Sequence, residues 1–98
     1  MSPLSGDALF ARGEHHDAAR TYARAGETRS LRRAADYLST LEHYEAAGEY
    51  AFYLDDEHEI ARIARLNLNA RNLPMARKLF AKTRNEEMVR FVDGRASS

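Results

Sequence analysis

Histidine and arginine are the residue types in this chain that could carry chemistry. His15 and His16 precede Asp17, His43 follows Glu42, and His58 stands among Asp55, Asp56, Glu57 and Glu59. A helical zinc site needs two imidazoles on one face, one turn apart, as in a His-Glu-x-x-His run. Neither the adjacent pair nor the isolated histidines have that spacing. Capping of a helix N-terminus accounts for the acids around His58. The chain has no cysteine, so thiolate ligands, disulfides and thiol nucleophiles are excluded. Nor does it show a Ser/His/Asp order, a glycine-rich phosphate loop or a carboxylate isolated among apolar residues. These residues predict no catalytic, metal or cofactor site and no enzymatic activity.

Arginine offers more. Lys78 and Lys82 are the only lysines among the 15 basic residues, so thirteen are arginine. A guanidinium fork binds carboxylates and phosphates in two-pronged fashion, which suits a recognition surface better than the point charge of lysine. The formal net charge is zero, yet the charges are unevenly placed. Residues 39–59 hold seven acids and no Lys or Arg, whereas residues 60–98 hold nine Lys/Arg against three acids. With six Arg against five acids in residues 1–38, an acidic waist between basic ends can orient a charged partner or a second copy of the chain. The same waist repels phosphate, so nucleic-acid binding through the Arg-rich ends is the lesser alternative.

Elements that could position these side chains follow from a repeat. Glu14-His15-His16-Asp17-Ala18-Ala19-x-x-Tyr22 returns as Glu42-His43-Tyr44-Glu45-Ala46-Ala47-x-x-Tyr50, and more loosely as Asn72-Leu73-Pro74-Met75-Ala76-Arg77-x-x-Phe80. Spacings of 28 and then 30 residues are the mark of stacked helical hairpins. In this alignment Ala18, Ala46 and Ala76 are the points where successive helices nestle together.

Punctuation places the helices. Gly13 and Gly26 suit helix ends. A helix from about His16 to Ala25 is followed by one capped by Thr28, with Leu31, Ala34, Ala35 and Leu38 on one face. Ser39-x-x-Glu42 and Asp56-x-x-Glu59 both fit a capping box. His43, Ala46, Ala47, Tyr50, Tyr53 and Leu54 form one stripe. A fifth helix runs from Glu57 to about Arg71 over Ile60, Ile63, Ala64 and Leu68. Asn72 caps a sixth, with Pro74 in its first turn and Leu73, Ala76, Leu79 and Phe80 inward. Asn85 caps a short seventh through Met88, Phe91 and Val92, which Gly94 ends, and Arg95 onward forms a frayed tail. Tyr22, Tyr37, Tyr50 and Tyr53 are core by spacing. His15 and His43 sit where packing with a hydrogen bond is expected.

The pattern resembles the tetratricopeptide-like superfamily in a short-period form: Gly13-Glu14-His15 opens a second helix, followed by Ala18, Tyr22 and Ala25. The family's small residue in the first helix falls on Gly6, Ala34 and Ala64, and the aromatic after it on Leu9, Tyr37 and Asn67. The resemblance implies an all-α, right-handed α-α superhelix of about three antiparallel hairpins with a terminal capping helix. As one domain, 1–98, its units would cover about 5–26, 28–54 and 56–84, with a last helix over 85–93. Met1 to Arg12 holds less than a full first helix and reads as a cap or as the edge of a longer array.

Such arrays bind proteins along a concave groove lined by the first helix of each unit. Carried over by position, the resemblance puts Arg32, Ala35, Leu38 and Ser39, then Ala61, Arg65, Leu68 and Asn69, on or beside that groove. Arg65 and Asn69, one turn apart, would hold a peptide carboxylate or backbone. Met88 and Phe91 lie on an amphipathic last helix with no following partner in the chain, a second candidate contact surface that also allows a homo-oligomer. With no leader pattern and no apolar run of membrane length, the expected setting is cytoplasmic, without membrane partners.

Overall fold

The computed structural model describes residues 4–97. Within them the chain is all-α, with seven helices and no strand. In order they are α1 (Gly6–Ala11), α2 (His15–Arg24), α3 (Thr28–Thr40), α4 (Tyr44–Ala51), α5 (Glu57–Asn69), α6 (Leu73–Lys82) and α7 (Glu86–Ala96). Short connections force neighbours antiparallel, and the tightest pairs are α3 with α4, α5 with α6, and α1 with α2. The even helices also pack on one another, α2 on α4 and α4 on α6, while successive odd helices touch far less. The stack measures 47 × 24 × 22 Å.

Five of the six connections use one device. After the last helical turn a single residue takes a left-handed backbone: Gly13, Gly26, Glu42, Arg71 and Arg84, with φ between 59° and 76°. The following amide then reaches back to a carbonyl five residues earlier. Glu14 donates to Leu9, Glu27 to Tyr22, His43 to Leu38, Asn72 to Asn67 and Asn85 to Phe80, all at 2.8–3.0 Å. This arrangement satisfies carbonyls that a helix end would otherwise leave unpaired, and the same residue starts the next helix. Glycine takes this conformation freely at 13 and 26; Glu42, Arg71 and Arg84 accept it at a cost of about 1 kcal/mol each. The α4–α5 connection differs: it buries Leu54 and ends on Asp56, whose Oδ1 accepts from the Glu59 amide at 3.2 Å.

Punctuation of this kind sets the register. The left-handed residues 13, 42 and 71 are 29 apart, as are the first residues 15, 44 and 73 of the even helices and 28, 57 and 86 of the later odd ones. Hence the period is uniformly 29, and the middle unit is shifted by one residue from the alignment that motif identity suggests. Ala18, Ala47 and Ala76 are the equivalent methyls, each 0% exposed. Ala46 is only half-buried. The small series in the odd helices is Gly6, Ala35 and Ala64, again all buried, in place of Gly6, Ala34 and Ala64. Gly6 lies against the Tyr22 ring, where a Cβ would come within 2.5 Å of two ring carbons.

Other expectations need correction. Ser39 does not cap α4: it lies inside α3, where its Oγ donates to the Ala35 carbonyl at 2.8 Å, and Glu42 is the left-handed turn residue. Thr28 begins α3 as its first helical residue, one place after the N-cap Glu27. The fifth helix stops at Asn69 because Arg71 turns left-handed. Gly94 does not end α7, which continues through Arg95 to Ala96. Tyr22 and Tyr50 are core, but Tyr37 is 56% exposed and Tyr53 half-buried. The stripe over α4 breaks after Ala51, with His43 exposed. Residues 1–3, part of the expected N-terminal cap, and Ser98, part of the expected tail, lie outside the described residues.

His15 packs and bonds as expected. Its Nδ1 lies 2.6 Å from the buried Tyr50 hydroxyl, and its ring stands edge-on to Phe10 at 5.3 Å. Burial, helped by the nearby His43, lowers the His15 pKa below its ordinary value. Burial raises the pKa of its partner, Tyr50, as well.

Candidate functional site: the cleft between helices α5 and α7

Because the odd helices stand apart, their face of the molecule is divided into clefts. The first, between α1 and α3, is lined by Asp7, Phe10, Tyr22, Ser30, Arg33, Ala34 and Tyr37. Asp36, Ser39, Thr40, Tyr44, Arg62 and Leu66 line the second, between α3 and α5. The third, about 410 Å³ between α5 and α7, is lined by Arg65, Leu68, Asn69, Arg71, Met88, Phe91 and Arg95.

The three are the same place in successive units. A step of 29 carries Asp7 to Asp36 to Arg65, and Phe10 to Ser39 to Leu68. The same step carries Arg33 to Arg62 to Phe91, and Tyr37 to Leu66 to Arg95. The register is therefore constant while the side chains vary, so chemistry can be compared position by position.

In the middle cleft the walls are tied to each other. Arg62 Nη2 reaches Asp36 Oδ1 at 3.3 Å across the gap and also holds Glu59 on its own helix. Arg32 Nη2 adds a contact to Asp56 Oδ2 at 3.4 Å. The Arg62 hydrogen bond holds the Glu59 carboxyl below its ordinary range, whereas burial, with Glu59 alongside, pushes Asp36 above it. In the first cleft Asp7 accepts the Tyr22 hydroxyl. Both clefts thus contain their own acid and their own base.

The third cleft breaks that pattern. Arg65 stands where the acid should be, Phe91 where the arginine should be, and Arg95 replaces an apolar residue. Among the described residues its lining has three guanidiniums, one amide and the apolar side chains Leu68, Met88 and Phe91, with no acid. Among the described residues, neither Arg65 nor Arg71 forms a side-chain ion pair. Arg95 lays its guanidinium 5.6 Å from the centre of the Phe91 ring, which remains 48% exposed. Arg77 Nε, 2.7 Å from Asp93 Oδ1, fixes α7 to α6, and Val92 buries its inner face.

Of the six residues singled out from the sequence, Arg65, Asn69, Met88 and Phe91 meet in this cleft. Arg32 and Ser39 do not: Arg32 is engaged with Asp56, and Ser39 lines the middle cleft with its hydroxyl bonded to its own helix. Ala35 and Leu38, expected on a shared groove, face the core at 0% and 3% exposure. Sequence reasoning missed Arg71 and Arg95. Arg71 holds the turn position of Gly13, a spacing the 29-residue register would have exposed, and Arg95 was assigned to a frayed tail although it lies within α7.

Among the described residues no helix is long and apolar enough to cross a membrane, and no cluster of three or more His, Asp or Glu could hold a metal ion. No protein-family model, curated protein or solved structure matches the chain.

Proposed function

We propose that this chain is a non-enzymatic, tetratricopeptide-like helical-repeat module that holds a segment of a partner protein, in the cytoplasm, between α5 and α7. The reading rests on the third cleft: it occupies the same register positions as its two sister clefts but has Arg65 where they have an acid. A cleft lined by guanidiniums and apolar side chains fits a peptide segment, because the apolar groups supply affinity and the guanidiniums supply orientation. Arg65 and Arg71 on one side and Arg95 on the other would clasp acceptor groups, while the Asn69 amide can bond a peptide backbone. Arg32 and Ser39, included on positional grounds, have no part in this version of the site.

The test compares wild type with an Arg65→Glu/Asn69→Ala variant, both immobilised after circular dichroism establishes equal helicity. The exposed positions of these side chains leave folding intact. A specific protein held by wild type should be retained at least about tenfold more weakly by the variant, equivalent to about 1.4 kcal/mol. Equal retention of every bound protein would remove the cleft from the account.

A further inference from the structure

We infer, resting on the cleft reading just given, that the occupant is an acidic amphipathic segment of a partner protein, placing a carboxylate on Arg65 and an apolar side chain against Phe91. The middle cleft shows what the geometry accommodates: a carboxylate at 36 meeting a guanidinium at 62, 3.3 Å apart. One unit later the guanidinium has moved to the α5 wall as Arg65, and the opposite wall is aromatic. The missing half of the bridge is a carboxylate, and the missing neighbour of Phe91, Met88 and Leu68 is apolar.

Comparison with the other clefts narrows the chemistry further. Those between α1 and α3, α3 and α5, and α6 and α7 each match their arginines with at least one acid: Asp7 with Arg33, Asp36 with Arg62, Asp93 and Glu86 with Arg77, Arg84 and Arg90. Among the described residues, the α5–α7 cleft is the one of these four with no acid in its lining, and Arg65 stands there at the place of Asp7 and Asp36. A phosphate backbone would need a basic track running past this point. Here the exposed Glu86 and Glu87 begin α7, and Asp93 lies near its end, so the positive potential is local. A short segment of alternating acidic and apolar character fits such a spot, and a nucleic-acid strand does not.

The experiment is a titration of the full chain, labelled with nitrogen-15, with an amphipathic Glu/Leu peptide of about a dozen residues, acetylated and amidated so that every carboxylate is a side chain. Parallel titrations use the same peptide with Lys for Glu, and oligothymidylate. Saturable shifts should appear at Arg65, Asn69, Arg71, Met88 and Phe91 with the Glu peptide alone and weaken with salt. Arg65→Gln should reduce affinity about tenfold, whereas Arg32→Gln leaves it unchanged. Shifts elsewhere, equal shifts with the Lys peptide, or stronger binding of oligothymidylate would overturn the acidic-segment assignment. Probe-free, concentration-dependent shifts at the same residues would overturn it in favour of a second copy of the chain. The two levels separate cleanly. If the Glu peptide fails while a captured partner still depends on Arg65 and Asn69, the acidic assignment falls and the cleft reading stands.

Discussion

Ala47→Leu should lower the urea midpoint sharply, with a loss of about 3 kcal/mol, while Ala46→Leu beside it changes stability by about 0.5 kcal/mol or less. Ala47 is 0% exposed on a helix that packs against α2, α3, α5 and α6, so every direction is already filled. Three additional carbons on that face force at least one neighbouring helix outward, and tight interiors respond to such insertions with off-rotamer side chains and backbone shifts. Ala46 borders the surface cleft between α2 and α4, where a longer side chain can extend into solvent. Because the two positions are adjacent in sequence and identical in type, local helix propensity cannot explain a difference between them. Equal losses, or a larger loss at Ala46, would restore the 28/30 spacing and remove the 29-residue register on which the comparison of clefts depends.

Asn67→Asp should cost about 3–5 kcal/mol at neutral pH, the range for a buried charge left without a partner. Asn67 is 0% exposed and occupies, 29 and 58 residues on, the place of buried Leu38 and Leu9. Its Nδ2 donates to the carbonyls of Ile63 at 2.9 Å and Tyr44 at 3.0 Å, and its Oδ1 accepts from Asn72 Nδ2 at 3.1 Å. One side chain thus links α5 to the starts of α4 and α6. A carboxylate there turns an oxygen toward two carbonyl oxygens and loses both donated bonds. Because burial raises the folded-state pKa of such an acid above its unfolded value, the variant should be least impaired at low pH. Its stability should fall further as pH rises from the ordinary aspartate range through the raised folded value. Asn67→Leu, which restores the residue of the sister units and exchanges the polar network for apolar volume, should cost far less. Urea unfolding of the three proteins across pH checks both the order and the sign. An Asn67→Asp midpoint that rises with pH would contradict the geometry described for Asn67.

What the sequence revealed, and where it misled, follows from the kind of signal involved. Seven helices were legible because apolar periodicity and end signals coincide at residues such as Gly13, Gly26, Asp56 and Asn85. The existence of a repeat was legible too. Its register was not, because Glu-His-x-x-Ala-Ala-x-x-Tyr at 42–50 matches 14–22 by residue identity, whereas packing aligns His43 with Glu14 and Ala47 with Ala18. Tyr50 consequently stands at the place of Thr21, and Ala51 at that of Tyr22; both tyrosines are buried, but on different parts of the helix surface. Left-handed turns at Glu42, Arg71 and Arg84 carry no glycine signal, so the true spacing emerged only with the backbone. Asn67 could not be read as buried because its three side-chain partners belong to three helices. For the site, the one-turn spacing of Arg65 and Asn69 was enough to select them, and amphipathicity was enough to select Met88 and Phe91. Arg32 failed because its acid, Asp56, lies 24 residues away, beyond helix α4, a separation that sequence alone does not translate into contact.

The measurement that bears most directly on the binding proposal rebuilds the middle cleft in the last one. Arg65→Asp together with Phe91→Arg places at the α5–α7 gap the same pair that Asp36 and Arg62 form one unit earlier. The doubly substituted protein should retain its helicity and its urea midpoint, and its affinity for the amidated Glu/Leu peptide should drop beyond detection. A folded variant that still binds this peptide as tightly as the unaltered chain would contradict the account.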